Sequence, residues 1–209
     1  MLDRPVRMSK VQAVFLDFGN VLAFHDDPVL FQRMSHWGGA RPEDIRKQML
    51  ELWSPINRGI IAGDDLRRTI CRVAGSAEPL GPEAFAALWT CHFRVHHEVL
   101  PMVDALLGQA KVLLLSNINE VHWRFVRTLI PQFSRFHDFV LSHELHVAKP
   151  DREIFEVALA RAGVAAEDAA FFDDIKEFAD AASAVGIRGR VFTTAENFRR
   201  QLGELGIGV

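Results

Sequence analysis

Short unbroken apolar runs alternate along the chain with stretches where apolar residues recur every three or four positions. Residues 11–16 are apolar except for Gln12 and end at Asp17-Phe18-Gly19-Asn20, the pattern of a buried parallel strand entering a loop. From Pro28 to about Glu98 the spacing turns helical. Pro42-Glu43-Asp44 opens a segment with Ile45, Met49, Leu52 and Trp53 on one face. Asp64-Asp65 opens another, with Leu66, Ile70 and Val73 inward and Gly75 as its stop. Gly81-Pro82-Glu83 starts a third, carrying Phe85, Leu88 and Trp89. This block carries no strand pattern, so the spacing predicts a helical unit of its own.

Past Pro101 the strand pattern returns. Lys111 leads into Val112-Leu113-Leu114-Leu115, closed by Ser116-Asn117, and a helix is predicted from about 120 to 129, stopped by Pro131. Phe139-Val140-Leu141 reads as a short strand. Pro150-Asp151 opens a helix with Ile154, Phe155, Ala158 and Leu159 on its core face. Ala169-Ala170-Phe171-Phe172 runs into Asp173-Asp174, and a helix around 179–185 ends at Gly186. Val191-Phe192 and residues 196–205 supply a last strand and a last helix. Strands alternating with helices predict an α/β fold with a mainly parallel sheet.

Composition narrows the function classes. The 209 residues carry 24 Lys+Arg against 27 Asp+Glu, a net charge of −3, so no basic field invites nucleic acid. Hydrophobic residues make up 49%, which is globular rather than disordered. With 16 Phe, 4 Trp and no Tyr, the core relies on aromatics without a hydroxyl. Cys71 and Cys91 fit no disulfide framework or metal spacing and are expected to be buried thiols. Arg4, Arg7 and Lys10 precede the first apolar run like a secretion signal, but Asp17 breaks that run and no cleavage site follows. No run approaches the roughly 20 apolar residues that span a bilayer. A cytoplasmic protein without membrane partners is expected, a monomer or weak homodimer.

Ligands of open α/β sheets bind at the carboxyl ends of the strands. Three predicted strands end in polar groups: Asp17, Ser116 and the pair Asp173-Asp174, while Lys149 precedes a helix. Taken singly, each has an ordinary structural reading as a cap, a loop hydroxyl or a solvated lysine. Brought together, the carboxylates would repel unless a cation sat among them, and hard oxygen ligands suit Mg²⁺. A cation, a lysine, a hydroxyl and free backbone N–H groups describe a phosphoryl-binding site.

The order Asp17-Phe18-Gly19-Asn20-Val21, Ser116-Asn117, Lys149-Pro150-Asp151 and Phe172-Asp173-Asp174 resembles the four motifs of the haloacid dehalogenase superfamily, at intervals of 99, 33 and 24 residues. Within it the Asp-x-Gly-Asn-Val and Ser-Asn-x-Asn wording resembles bacterial phosphatases of the glucose-1-phosphate phosphatase type. The resemblance implies a Rossmann-like three-layer α/β/α core of residues 1–24 and 98–209, with a C1-type helical cap of residues 25–97 inserted after the first strand. It implies a Mg²⁺-dependent phosphomonoester hydrolase acting on a small phosphorylated metabolite, a sugar phosphate foremost, through an aspartyl-phosphate on Asp17. Ser116, Lys149 and the backbone N–H groups of Phe18, Gly19 and Asn117 would hold the phosphoryl group. Asp17, the Gly19 carbonyl and Asp174 would hold the metal, with Asp173 adjacent.

Two positions depart from the superfamily pattern. Gly19 stands where most of its phosphatases carry a general acid/base Asp, a group worth on the order of 10²–10⁴ in rate. Either His25, Asp26 or Asp27 replaces it, or the leaving group needs little protonation, as an anomeric sugar oxygen would. Phe178 stands where an Asn or Asp that supports the metal is expected. These departures keep open a haloacid dehalogenase and a weakly catalytic regulatory or binding protein as alternatives. Elsewhere, His92 and His96 are predicted on one face of a solvated helix with His97 near them. Trp37, Trp53 and Trp89 are expected to pack between cap helices, and Arg58 to lie on the surface.

Overall fold

The computed structural model describes residues 11–209; the basic residues Arg4, Arg7 and Lys10, and the start of the predicted core, lie outside them. Five parallel strands form the main sheet: β1 (Ala13–Leu16), β4 (Lys111–Ser116), β5 (Asp138–Leu141), β6 (Ala169–Asp173) and β7 (Arg188–Val191), in the order β5-β4-β1-β6-β7. A separate antiparallel ribbon pairs β2 (Ala23–His25) with β3 (Phe93–Val95).

Alternation along β1 builds both faces of the sheet. Val14 and Leu16 pack with Val103 and Leu106 of α5 (Leu100–Leu107), Val126 of α6 (Glu120–Val126), and Phe198 and Leu202 of α10 (Ala195–Glu204). Ala13 and Phe15 pack on the other face with Ile154, Phe155 and Ala158 of α8 (Arg152–Ala162) and Ala182 of α9 (Lys176–Ala184). A short helix, α7 (Ser142–Leu145), follows β5. The result is a three-layer α/β/α sandwich; the strand–helix pattern predicted its parallel sheet and the family resemblance implied its three layers.

Between β2 and β3 run α1 (Asp27–Gly38), α2 (Pro42–Asn57), α3 (Gly63–Ala74) and α4 (Pro82–Trp89), around a third apolar core that includes Met34, Ile45, Met49, Ile70 and Trp89. Trp89 is fully buried, stacked on Phe85 and near Trp53. Four sequence expectations need correcting. Residues 93–95 form a strand inside the block read as purely helical. Residues 100–107, read as the start of a strand region, are helical, because a proline at the second position opens a helix instead of ending one. His92 and His96 flank β3 and are buried, not exposed on a helix face. Cys71 is buried, but Cys91 is exposed.

Candidate active site

The parallel register brings the polar strand ends together. Leu16 sits opposite both Leu114 and Phe172, and the Asp17 N–H donates to the Phe172 carbonyl at 2.9 Å. Asp17 therefore leaves β1 beside Asp173 at the end of β6, with Ser116 closing β4 on the other side. Carboxylate oxygens of Asp17, Asp173 and Asp174 lie within 4.8 Å of one another.

Lys149, from the loop before α8, enters between two of them. Its ammonium donates to Asp17 Oδ1 at 2.7 Å and Asp173 Oδ2 at 2.6 Å, with 1% of the side chain exposed. It also lies 5.2 Å from the ring centres of both Phe171 and Phe178, a favourable cation–π arrangement. Asn117 fixes the lysine's backbone: its Oδ1 accepts from Lys149 N at 2.8 Å and its Nδ2 donates to Lys149 O at 2.9 Å. Burial by itself would lower the lysine's pKa, but Asp17 and Asp173 outweigh it and hold it above the ordinary value. Burial pushes the Asp173 carboxyl up to about 6, helped by Asp17 and opposed by Lys149.

The three acids are not equivalent. Both oxygens of Asp173 are committed, Oδ2 to Lys149 and Oδ1 to the Ile175 N–H at 2.8 Å. Asp17 and Asp174 instead line a cavity of about 500 Å³, together with Ser116, Asn117 and Lys149.

Gly19 leaves room that a neighbour fills. A Cβ placed there would lie 3.2 Å from Cδ2 and 3.3 Å from Nε2 of His25, and 3.6 Å from Asp17 Oδ2. The imidazole thus occupies the space next to the missing side chain. Its Nδ1 approaches Asp27 Oδ1 at 3.4 Å, and that contact raises its pKa; burial opposes the rise, and the charges of Asp27, Asp174 and Asp17 add to it. Asp26 is occupied elsewhere, as its carboxylate accepts from Val29 N at 3.3 Å to cap α1. Asn20, in the left-handed region at φ 54°, donates from Nδ2 to Asp174 Oδ2 at 2.8 Å and contacts His25 Nε2 at 3.3 Å. The sequence reading gave Asn20 no role; its one signal was an αL-tolerant residue directly after Gly19.

The helical unit and the segment around the ribbon add Trp53, Ser54, Asn57 and Arg58, with His92 and Phe93, to the cavity wall. Arg58 is not a free surface residue, since it donates to Asp151 Oδ2 at 2.7 Å, two residues beyond Lys149. The Arg58 hydrogen bond holds the Asp151 carboxyl below its usual range. His122, which also lines the cavity, is buried and neutral: Nδ1 accepts from Asn119, Nε2 donates to the Trp89 carbonyl at 3.0 Å, and burial keeps its pKa well down. Trp53, Ser54, Asn57 and Arg58 share the C-terminal end of α2, a helical spacing that reads equally well as packing within the helical unit, so sequence alone does not mark them as cavity wall.

A family model described as haloacid dehalogenase-like hydrolase matches residues 11–186. The chain belongs to that family. Solved members share its fold. A HAD family enzyme from Bacteroides thetaiotaomicron, in complex with magnesium, superposes with a TM-score of 0.82 at 22% identity, covering 93% of this chain and 99% of the other. The same enzyme has been solved with magnesium and inorganic phosphate. A predicted HAD-like family hydrolase from Porphyromonas gingivalis gives 0.81 at 21% identity, over 94% of this chain and 98% of that one. L-2-haloacid dehalogenase from Xanthobacter autotrophicus gives 0.65 at 16% identity, over 95% and 85%. Among the described residues no helix is long and apolar enough to cross a membrane.

Proposed function

We propose that this HAD hydrolase is a Mg²⁺-dependent phosphomonoester hydrolase that works through an aspartyl-phosphate on Asp17. The observation that carries the reading is the division of labour among the carboxylates. Asp17 has one oxygen tied to a buried lysine, while Asp174 lines the same cavity and is not committed to that lysine. The magnesium in the Bacteroides enzyme supports the same choice. The donor set here fits that ion: carboxylates of Asp17 and Asp174 and the Gly19 carbonyl are hard oxygen ligands. When bound, Mg²⁺ would neutralise charge on the phosphoryl oxygens.

The chain's own residues divide the remaining work. A carboxylate oxygen of Asp17 attacks phosphorus, the P–O bond to the alcohol breaks, and that oxygen takes a proton from His25. Water then attacks the aspartyl-phosphate, gives its proton to His25, and releases phosphate and free Asp17. Ser116 and the backbone N–H groups of Phe18, Gly19 and Asn117 hold the equatorial oxygens, and Lys149 neutralises charge. Asp27 keeps the imidazole oriented, and Asp173 anchors Lys149. The unit spanning residues 25–97 serves as the cap that closes over substrate and excludes water.

The preferred substrate is a small sugar phosphate, and specifically a sugar 1-phosphate, whose anomeric oxygen departs more easily than a primary alkoxide. A panel of hexose 1- and 6-phosphates, assayed with Mg²⁺ and with chelator, tests this. Higher kcat/KM on the 1-phosphates is expected; equal or lower values contradict the substrate assignment.

A further inference from the structure

The cavity holds a histidine that the phosphoryl chemistry does not use. His92 is 4% exposed and lines the cavity wall, its ring packed on Phe93 at 4.3 Å and edge-on to His122 at 5.3 Å. Among the described residues its side chain makes no hydrogen bond. Nδ1 is sealed inside the protein without a partner, whereas Nε2 is not sealed, on a residue that lines the cavity. An orphaned buried N–H is rarer in native proteins than an orphaned acceptor, which puts the ring proton on Nε2 as a donor toward the ligand. Burial lowers the ring's pKa to about 4, so this donor stays uncharged near neutral pH.

Charge on the same wall is already matched. Lys149 is paired with Asp17 and Asp173, and Arg58 with Asp151. His25 sits against Asp27. A second anionic group on a ligand would find each wall cation already paired with an acid. Trp53 and Phe93 offer flat apolar faces, and Asn57 a further polar group.

We infer that His92, with Trp53 and Asn57, recognises the departing alcohol, and that this alcohol is neutral and hydroxyl-bearing, so that the substrate carries no anionic group besides the transferred phosphate. The inference rests on the phosphatase reading and deepens it. Discrimination by a site built to hydrogen-bond a hydroxyl is lost when the donor is lost.

The test compares glucose 1-phosphate, glucose 1,6-bisphosphate and p-nitrophenyl phosphate, all with Mg²⁺, in wild type, His92→Phe and His92→Gln. Phenylalanine keeps the ring packing without the nitrogen; glutamine restores a donor near the Nε2 position. Wild type should prefer the monophosphate over the bisphosphate by at least about tenfold. His92→Phe should lower kcat/KM on glucose 1-phosphate by about tenfold while leaving the aryl phosphate within about threefold, and His92→Gln should recover part of the loss. Parallel losses on both substrates, or a bisphosphate used as well as the monophosphate, would overturn the inference. The wild-type comparison decides even where His92→Phe does not fold. Absence of turnover on all three substrates would overturn the phosphatase reading and this inference with it.

Discussion

At the scale of single residues, the space beside Gly19 organises the site. His25 lies where a Cβ at position 19 would make contact at 3.2 Å, so an acid at 19 and the imidazole at 25 compete for one volume. Removing the ring in His25→Ala should lower kcat by about 10²-fold. Gly19→Asp alone should also lower it, because the new side chain must displace the ring. The double variant Gly19→Asp/His25→Ala should be faster than either single one, a non-additivity that steady-state kinetics read directly. From sequence, Gly19 was legible as a departure, but the choice among His25, Asp26 and Asp27 was not. It depends on which side chain caps α1 and which turns back, and Asp26 takes the cap. Phe178 is similar: as a letter it looked like damage to a metal site, while in three dimensions its ring lies against the Lys149 ammonium.

At the scale of elements, strong periodicity translated well and short or uniformly apolar segments did not. Helices α2, α3 and α4 begin at or within one residue of their Pro and Asp signals, because each offers one apolar stripe to a shared core. Strand β3 has three residues, too few for an alternation to register, and β7 reads Arg-Gly-Arg-Val with no apolar run. The C-terminal end of α2 is where the helical unit meets the core beside the cavity. Its Asn57 carbonyl accepts from the Ser142 hydroxyl at 2.5 Å, and the Arg58 carbonyl meets His146 Nδ1 at 2.8 Å. Gly59 follows at φ 68°, where a Cβ would lie 2.6 Å from the His143 carbonyl. With Arg58–Asp151, these contacts join the helical unit to the segment that carries Lys149. Since the Arg58 pair is partly exposed, Arg58→Ala should change stability by less than about 1 kcal/mol yet raise KM for the phosphorylated substrate. Urea denaturation and initial-rate kinetics on the same preparations check both parts.

For the whole molecule, the fold and the meeting of the polar strand ends were readable because a parallel sheet puts the carboxyl ends of all its strands on one edge. The cavity wall was not: Trp53 and Asn57 lie one turn apart on α2, but their spacing does not show that this side of the helix faces the polar strand ends. Docking of the helical unit buries two neutral imidazoles, which makes stability depend on pH. His92 titrates near 4 in the folded chain, below its unfolded value of about 6.5, and His122 is likewise depressed. Above about pH 6.5 both states are neutral and the full stability is present. As pH falls from there toward 4 the unfolded chain takes up protons first, so stability is lost across that window, on the order of 3 kcal/mol for His92. Urea midpoints between pH 4 and 7.5 should fall accordingly, and less steeply in His92→Phe. The central claim is chemical, and one comparison tests it most directly: phosphate release from p-nitrophenyl phosphate by wild type and Asp17→Asn, with and without Mg²⁺. The account predicts Mg²⁺-dependent release that falls by about 10³-fold or more in Asp17→Asn. Release undiminished in that variant, or halide release from a 2-haloacid without metal in place of phosphatase activity, would contradict it.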